Sequence, residues 1–225
     1  MERITVLLAD DHQIVREGVR SLLEHESDIE VIGEAETGRQ AVTKVKSLRP
    51  AVVVMDIAMP LLNGLEATRQ IHKDHPETKV LILSAHGEDA YAEEAAAFGA
   101  VGFLIKQSSA HTLAQAIREV QKGNKFFRTS TSKRIEKLRL GVVDRGGDLR
   151  KKRNLLSSRE VEVLQLIAEG KPSKQMATEL GVSFKTVDKH RQHLMGKLNI
   201  HDVASLTRYA IDEGIIESHV RVTIK

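Results

Sequence analysis

The chain has 225 residues with a formal net charge of +3, and its composition is 41% hydrophobic and 29% charged. These values fit two small domains with packed cores and argue against a disordered chain. No Cys is present, which excludes a disulfide framework, a thiol nucleophile and a Cys-ligated metal centre. The first apolar stretch stops at Asp10 and is too short for a signal peptide or a membrane span, so we expect a cytoplasmic protein with no membrane partner.

Charge is divided unevenly along the chain. Residues 1–122 carry 13 Lys and Arg against 19 Asp and Glu, whereas residues 123–225 carry 21 against 12. An acidic half joined to a basic half predicts two domains, of which the second is suited to bind a polyanion such as nucleic acid. A lopsided but merely solvated surface is the alternative.

Residues 1–122 alternate apolar runs with amphipathic segments. Five runs predict strands, most of them buried on both faces: Ile4–Ala9, Glu30–Gly33, Ala51–Met55, Val80–Leu83 and Val101–Ile105. A segment with helical spacing follows each run: His12–His25, Arg39–Leu48, Asn63–Asp74, Asp89–Phe98 and Ser109–Lys122. Repeated strand–helix units predict a doubly wound α/β domain with a five-stranded parallel sheet, whose functional groups lie at the carboxyl ends of the strands.

The second half has a different pattern. Residues 123–154 hold 11 Lys and Arg and predict a basic linker with a short helix over Thr129–Leu140, which serves either as a tether or as a phosphate contact. Residues 155–216 predict a small all-α domain, followed by a tail at 217–225. Its helices begin near Ser158 and then cover Ser173–Leu180, Phe184–Leu198 and about Asp202–Glu213. The second and third of these form a helix-turn-helix.

Acidic residues follow the predicted strands of the first domain. Asp10 and Asp11 follow the first strand and Asp56 follows the third, so three carboxylates converge at one edge of the sheet. Such a set repels itself unless a cation intervenes, and oxygen ligands favour Mg²⁺. Ser84 and Lys106 end the fourth and fifth strands, where a hydroxyl and an ammonium can hold phosphoryl oxygens. A carboxylate beside a divalent ion can also attack phosphorus.

These residues resemble the receiver domain of bacterial two-component response regulators. The matching features are Asp10-Asp11, Met55 to Pro60 with Gly64, Ser84-Ala85, and Gly102 to Gln107. The resemblance implies that a sensor histidine kinase donates a phosphoryl group to Asp56. It implies that Asp10, Asp11, Asp56 and the Ala58 carbonyl hold Mg²⁺, that Lys106 pairs with the acyl phosphate, and that Ser84 moves toward it. Phe103 takes the place of the family's aromatic switch residue, and simple core packing is its other interpretation.

A haloacid-dehalogenase-like phosphatase is the alternative for the acidic site. Its chemistry needs a second Asp two residues after the nucleophile as the acid/base, and this sequence has Ala58 there. We therefore expect no enzyme with turnover, only a receiver that assists its own phosphorylation and dephosphorylation. Ala58 and His86, two residues after Ser84, are the positions expected to set the lifetime of the phosphoryl group.

The predicted helix Phe184–Leu198 carries two stripes. Val187, Arg191, Leu194 and Leu198 have core spacing, and Lys185, Asp188, Lys189 and Gln192 form a polar stripe on the other side. The N-terminal half of the polar stripe is expected to enter a major groove, where Lys189 and Gln192 read base edges and Asp188 accepts from cytosine. The residues better placed for phosphates are Lys174, Ser183, Lys185, Thr186 and Lys197. An ordinary solvated helix face is the alternative.

The helical domain resembles the LuxR-type DNA-binding domain. The resemblance rests on Leu156–Leu164, Ile167–Gly170, Ala177–Leu180, Thr186–Arg191 and Met195–Leu198. With the receiver, it indicates a response regulator of the NarL/FixJ type that binds double-stranded DNA. It implies that phosphorylation frees the DNA-binding helices and promotes a homodimer, with Val203, Leu206 and Ala210 as the expected contact. A regulator that acts only through protein contacts is the remaining alternative.

Overall fold

The computed structural model describes residues 3–85, 89–127 and 156–216. The chain divides into two compact units, Met1–Asp144 and Arg145–Lys225, and each is considered by itself. The predicted helix at Thr129–Leu140, most of the predicted linker, His86 and the C-terminal tail lie outside the described residues. Within those residues, no helix is both long and apolar enough to cross a membrane.

The first unit contains a five-stranded parallel sheet, which confirms the predicted doubly wound fold. Its strands are β1 (Ile4–Ala9), β2 (Ile29–Ala35), β3 (Val52–Met55), β4 (Lys79–Ser84) and β5 (Gly102–Ile105). Their order in the sheet is β2-β1-β3-β4-β5. The helices are α1 (Gln13–Glu24), α2 (Gly38–Leu48), α3 (Gly64–Asp74), α4 (Asp89–Ala97) and α5 (Ala110–Gln121).

Alternate strand residues enter two separate hydrophobic cores. Leu7, Val53 and Ile82 face the core that α2, α3 and α4 cover, whereas Leu8 and Val54 face the core that α1 and α5 cover. Because both faces of the sheet are buried, the central strands have no polar side, and their sequences read as continuous apolar runs. The carboxyl ends of these strands are therefore the places where polar side chains meet solvent.

The chain pairs once more with the sheet after α5. Phe126 N–H donates to Val101 O (2.9 Å) and Phe126 O accepts from Phe103 N–H (2.8 Å), which gives a parallel bridge beside β5. Phe126 and Phe127 pack against opposite cores of the sheet. The sequence assigned these residues to the linker because two aromatic residues are too short a run to predict a strand. In the structure, the segment that follows α5 is joined directly to β5.

Four helices form the second unit: α6 (Ser158–Ala168), α7 (Ser173–Leu180), α8 (Phe184–Leu198) and α9 (Val203–Asp212). Ser157 and Glu160 cap α6 reciprocally, so that each side chain binds the other residue's backbone N–H. Gly181 ends α7 at φ 62°, a left-handed conformation that glycine adopts without strain. Among the described residues of this unit, the core is aliphatic and includes Leu164, Met176 and Leu194.

Two glycines of the first unit give a matched pair of stability predictions. A Cβ at Gly64 would lie 1.8 Å from the backbone O of Asp56, whereas a Cβ at Gly18 meets nothing within 4 Å. We expect Gly64→Ala to lower the free energy of unfolding by about 2 kcal/mol or more, since backbone must move. Gly18→Ala in an exposed helix should raise it by about 0.5–1 kcal/mol.

Urea denaturation measures both changes in a Tyr209→Phe background, where Tyr91 is the one remaining tyrosine and its fluorescence reports on the first unit. Equal effects of the two substitutions would contradict the close approach of Gly64 to the Asp56 peptide.

Candidate functional site

The carboxyl ends of four strands bring the predicted acidic site together. Asp10 follows β1, Asp56 follows β3, Ser84 ends β4, and Lys106 follows β5. Asp10 and Asp56 are buried, at 5% and 4% exposure. Lys106 Nζ lies 2.7 Å from Asp10 Oδ2 and 3.0 Å from Asp56 Oδ2. Backbone bonds align these strand ends, since Asp56 N–H donates to Ala9 O and Lys106 N–H donates to Ser84 O, both at 2.7 Å.

The electrostatics of this cluster perturb two groups. Burial, and next the charge of Asp10, raise the pKa of Asp56 to about 6, although Lys106 and the Ile57 N–H act in the opposite sense. Burial lowers the pKa of Lys106, but its bonds to Asp10 and Asp56 outweigh that effect and the pKa is raised. Lys106 is therefore a permanent cation between two buried carboxylates, and Asp56 is the carboxylate whose ionised form is disfavoured.

The donor set fits a hard divalent cation. One ligand atom from each of Asp10, Asp11, His12 and Asp56 lies within 4.8 Å of the others. Asp11 Oδ1 is buried and accepts no hydrogen bond from the described residues, with only the His12 ring Nδ1 at 2.8 Å. Carboxylate oxygens in this number suit Mg²⁺. Ala58 is half-buried in the loop after β3, and the role of its carbonyl remains a prediction.

The remaining predicted residues of the first unit lie on β4 and β5. Ser84 ends β4 at 2% exposure, and Phe103 lies within β5 at 5% exposure. Phe103 packs in the core that α2, α3 and α4 cover, so its ring points inward. The structure thus places the Ser84 hydroxyl on β4 and the buried Phe103 ring on β5, the strand that leads to Lys106. Their roles in switching remain predictions.

Two residues near the site were not singled out from the sequence. His12 follows the acidic pair directly, and its N–H donates to Asp10 Oδ1 (2.8 Å). Arg16 is a buried cation on α1 whose guanidinium donates to Asp10 O (2.7 Å). A usable signal was present, because Arg16 shares the inward stripe of α1 with Val19 and Leu23, where a charged residue is unusual.

Seven of the eight predicted DNA-binding residues are exposed, and most of these lie on α8. Those that are exposed are Lys174 on α7, Ser183 before α8, and Lys185, Asp188, Lys189, Gln192 and Lys197 on α8, whereas Thr186 is half-buried. The hydroxyl of Ser183 accepts from the Thr186 N–H and so caps α8. Gln192 Nε2 donates to Asp188 Oδ2 (3.3 Å), which links two of the three predicted base-reading groups. The first half of α8 is therefore a polar, outward-facing surface.

Partly buried polar contacts hold the helices of the second unit together. Lys197 Nζ lies 2.7 Å from Oε2 of the buried Glu160, so this predicted phosphate contact is joined to the cap of α6. Arg191 lies in the core stripe of α8 because its guanidinium donates to Ser173 Oγ (3.0 Å) at the start of α7. Arg159 donates to Leu180 O (2.6 Å) at the end of α7. The angle of the helix-turn-helix is fixed by polar contacts as well as by packing.

The structure corrects the expected dimer contact on α9. Leu206 and Ala210 are fully buried in the core of the second unit and cannot meet a partner. They pack there because α9 closes against α6, whose buried face needs an apolar cover. Val203, at 49% exposure, keeps its outward position, and Ile211 is another exposed large apolar residue of this helix.

The raised pKa of Asp56 predicts a pH-dependent stability. The folded state holds the Asp56 proton more tightly than the unfolded chain, so this carboxylate lowers stability as the pH rises from 3.8 to about 6 and keeps it lower above that. We expect Asp56→Asn to raise the free energy of unfolding, without metal, by about 2–3 kcal/mol near pH 7.5 and by little near pH 4. Denaturation in the Tyr209→Phe background measures this, and an equal gain at both pH values would contradict it.

Two family models match the chain. The response regulator receiver domain matches residues 6–118, and the luxR family of bacterial regulatory proteins matches residues 154–210. These ranges contain the acidic cluster and helix α8, respectively. The two halves that the charge distribution distinguishes therefore correspond to two known domains.

Full-length relatives share both domains in the same order. DegU of Brevibacillus brevis, a transcriptional regulatory protein, is 32% identical over 226 residues, with 96% of each chain covered. The response regulator VraR of Staphylococcus aureus is 35% identical, with 95% of this chain and 99% of VraR covered. A solved RcsB–DNA complex matches with 29% identity and a TM-score of 0.54, covering 92% of this chain and 98% of RcsB. The chain belongs to the LuxR-type two-component response regulators, which bind DNA and regulate transcription.

Proposed function

We propose that Asp56 is the phosphoryl acceptor of this response regulator, and that a sensor histidine kinase is the donor. The observation that carries the proposal is the contact of Lys106 with both Asp10 and Asp56 at the carboxyl edge of the sheet. This arrangement puts a nucleophilic carboxylate next to a fixed cation. With a pKa of about 6, Asp56 is largely ionised at neutral pH and ready to attack.

In the proposed reaction, an Asp56 carboxylate oxygen attacks phosphorus of the kinase phosphohistidine. An O–P bond forms, the P–N bond breaks, and the departing histidine nitrogen takes up a proton. Asp10, Asp11, Asp56 and the Ala58 carbonyl would hold Mg²⁺, which supplies charge neutralisation for the phosphoryl oxygens when it is bound. Lys106 pairs with an oxygen of the acyl phosphate, and Ile57 N–H, 2.9 Å from Asp56 Oδ1, orients the carboxylate.

The acyl phosphate favours one of two conformations of the receiver. It adds negative charge and strong acceptors beside Ser84, and the hydroxyl moves toward them, next to the Phe103 ring that is already buried. The Phe103 N–H donates to Phe126 O, so a shift of β5 reaches the segment that follows α5. This route is the proposed link from phosphorylation to release of the DNA-binding helices and to homodimer formation.

Helix α8 is the proposed reader of DNA. Its exposed first half enters the major groove, where Lys189 and Gln192 read base edges and Asp188 accepts from a cytosine amino group. Lys174, Ser183, Lys185, Thr186 and Lys197 contact phosphates. The solved complex of the relative RcsB with DNA supports DNA binding by this architecture. Two copies of the chain would occupy two half-sites.

The protein is proposed to act as a switch without enzymatic turnover. The half-buried Ala58 has no group that could serve as the acid/base of a phosphatase, and the alternative of a phosphomonoesterase therefore lacks its second carboxylate. The alternative of a regulator with protein contacts only is disfavoured by the exposed Lys185 and Lys189. Release of phosphate from small phosphomonoesters with turnover would support the first alternative.

Phosphorylation of Asp56 should strengthen DNA binding. We expect phosphoramidate with Mg²⁺ to add one phosphoryl group to the wild type, seen by mass spectrometry, and to tighten binding to a duplex selected from a random pool. Asp56→Asn should show neither change. Glu77→Gln is the matched control, because Glu77 is an exposed carboxylate in the loop before β4, at the opposite edge of the sheet. Donor-dependent tightening in Asp56→Asn would refute Asp56 as the control point.

The salt dependence of DNA binding tests the role of α8. Lys185→Ala should reduce the slope of log K against log[salt] by about 1, since one proposed phosphate contact is lost, and weaken binding. Lys73→Ala, an exposed lysine on α3, is the control and should leave the slope unchanged. An unchanged slope in the Lys185→Ala and Lys174→Ala variants alike would favour a regulator that acts through protein contacts.

A further inference from the structure

Arg16 is the most completely engaged buried cation near the acidic site. It lies on the first turn of α1 at 5% exposure. Nη1 donates to the backbone O of Asp10 (2.7 Å), Nε to Glu34 Oε2 (3.2 Å), and Nη2 to Glu36 Oε1 (2.9 Å). Burial of a guanidinium is costly, and it is tolerated when all sides of the planar group have partners. Of these three contacts, the one with Asp10 reaches the acidic site.

The Asp10 carbonyl belongs to the peptide group that joins Asp10 to Asp11. Strand β1 ends at Ala9, so this carbonyl lies just beyond the strand. On the opposite side of the residue, Asp10 N–H donates to Ala35 O (3.0 Å) at the end of β2. Asp10 is therefore held between β2 and Arg16, and the orientation of the following peptide depends on Arg16.

Asp11 depends on that peptide more than its neighbours do. Among the described residues, its Oδ1 has only the ring Nδ1 of the next residue, His12, as a polar contact (2.8 Å), whereas Asp10 and Asp56 are both held by Lys106 from another strand. Because His12 is on the same stretch of chain, the direction of the Asp11 carboxylate is set mainly by that backbone. A rotation of the Asp10–Asp11 peptide would move the Asp11 oxygen away from the other ligand atoms of the cluster.

Charge and positioning make opposite predictions for Arg16. Arg16, Asp10 and Asp56 line the same small cavity behind the site, so the guanidinium charge is close to the carboxylates. If Arg16 acted through its charge alone, its removal would strengthen Mg²⁺ binding, because a competing cation would be gone. If it acts by holding the peptide, its removal would weaken Mg²⁺ binding.

We propose that Arg16 is a positioning residue for the metal and phosphoryl site, which it serves by fixing the Asp10–Asp11 peptide from α1. The inference rests on the proposed Mg²⁺ site and extends it to the groups that orient its ligands. Glu34 and Glu36 hold the guanidinium in the plane that this contact needs.

Calorimetric titration of the full chain with MgCl₂ tests the proposal. We expect Arg16→Ala to raise the Kd for Mg²⁺ about tenfold or more, in the range typical of groups that orient metal ligands. Arg16→Lys keeps the charge but loses the planar fork, so its Kd should rise about threefold or more. Arg20→Ala is the matched control, since Arg20 lies on the same helix and pairs with Glu34 at 2.5 Å. Its Kd should stay within about twofold of the wild type, or fall slightly.

Each titration is performed below the unfolding midpoint of the variant, and Arg16→Lys decides if Arg16→Ala is unfolded at the assay temperature. Wild-type protein that binds Mg²⁺, with Arg16 variants that bind it equally or more tightly, would overturn the inference and leave the proposed function intact. Wild-type protein that fails to bind Mg²⁺ would instead overturn the metal site on which both rest.

Discussion

Repulsion between carboxylates at the end of two adjacent strands is the constraint on which this protein depends. Asp10 and Asp56 are both buried, and burial of like charges is unfavourable unless a cation lies between them. The ammonium of Lys106 fills that place, and the pKa of Asp56 is still raised to about 6. Some repulsion between the carboxylates therefore remains, and binding of a further cation or modification of Asp56 would reduce it. A phosphoryl switch requires such a site, because modification of Asp56 then changes a small difference between carboxylate repulsion and the attraction of Lys106.

The sheet explains why this tension can reach the remainder of the chain. Ser84 and Lys106 end neighbouring strands and are joined through their backbones, and Phe103 on the same strand as Lys106 is paired with Phe126. Two backbone hydrogen bonds and the chain of β5 between them thus connect the acidic edge with the segment that follows α5. In the second unit, Arg159, Glu160 and Lys197 hold the helix-turn-helix through its helix ends, so that α8 presents its polar face as a rigid element.

Sequence reasoning predicted most of the fold because its signals were local. The strand at Ile4–Ala9 and the helices at Ser173–Leu180 and Phe184–Leu198 have the predicted bounds, since apolar runs, caps and glycines mark their ends. The meeting of Asp10, Asp56 and Lys106 also followed, because parallel strands have a common carboxyl edge. Leu206 was assigned wrongly, since an apolar stripe on a helix looks the same whether it covers its own domain or a partner.

The sequence by itself determined the elements and their order, because periodicity and local caps specify them, and its motifs resemble a receiver joined to a LuxR-type domain. Tertiary structure alone decided which partners the charged side chains take. Lys197 is joined to Glu160 across 37 positions, Arg16 reaches from α1 to two carboxylates on and beyond β2, and Phe126 adds to the edge of β5. Such contacts leave no periodic trace, since a single long side chain or one backbone bridge depends on where distant elements come together in space.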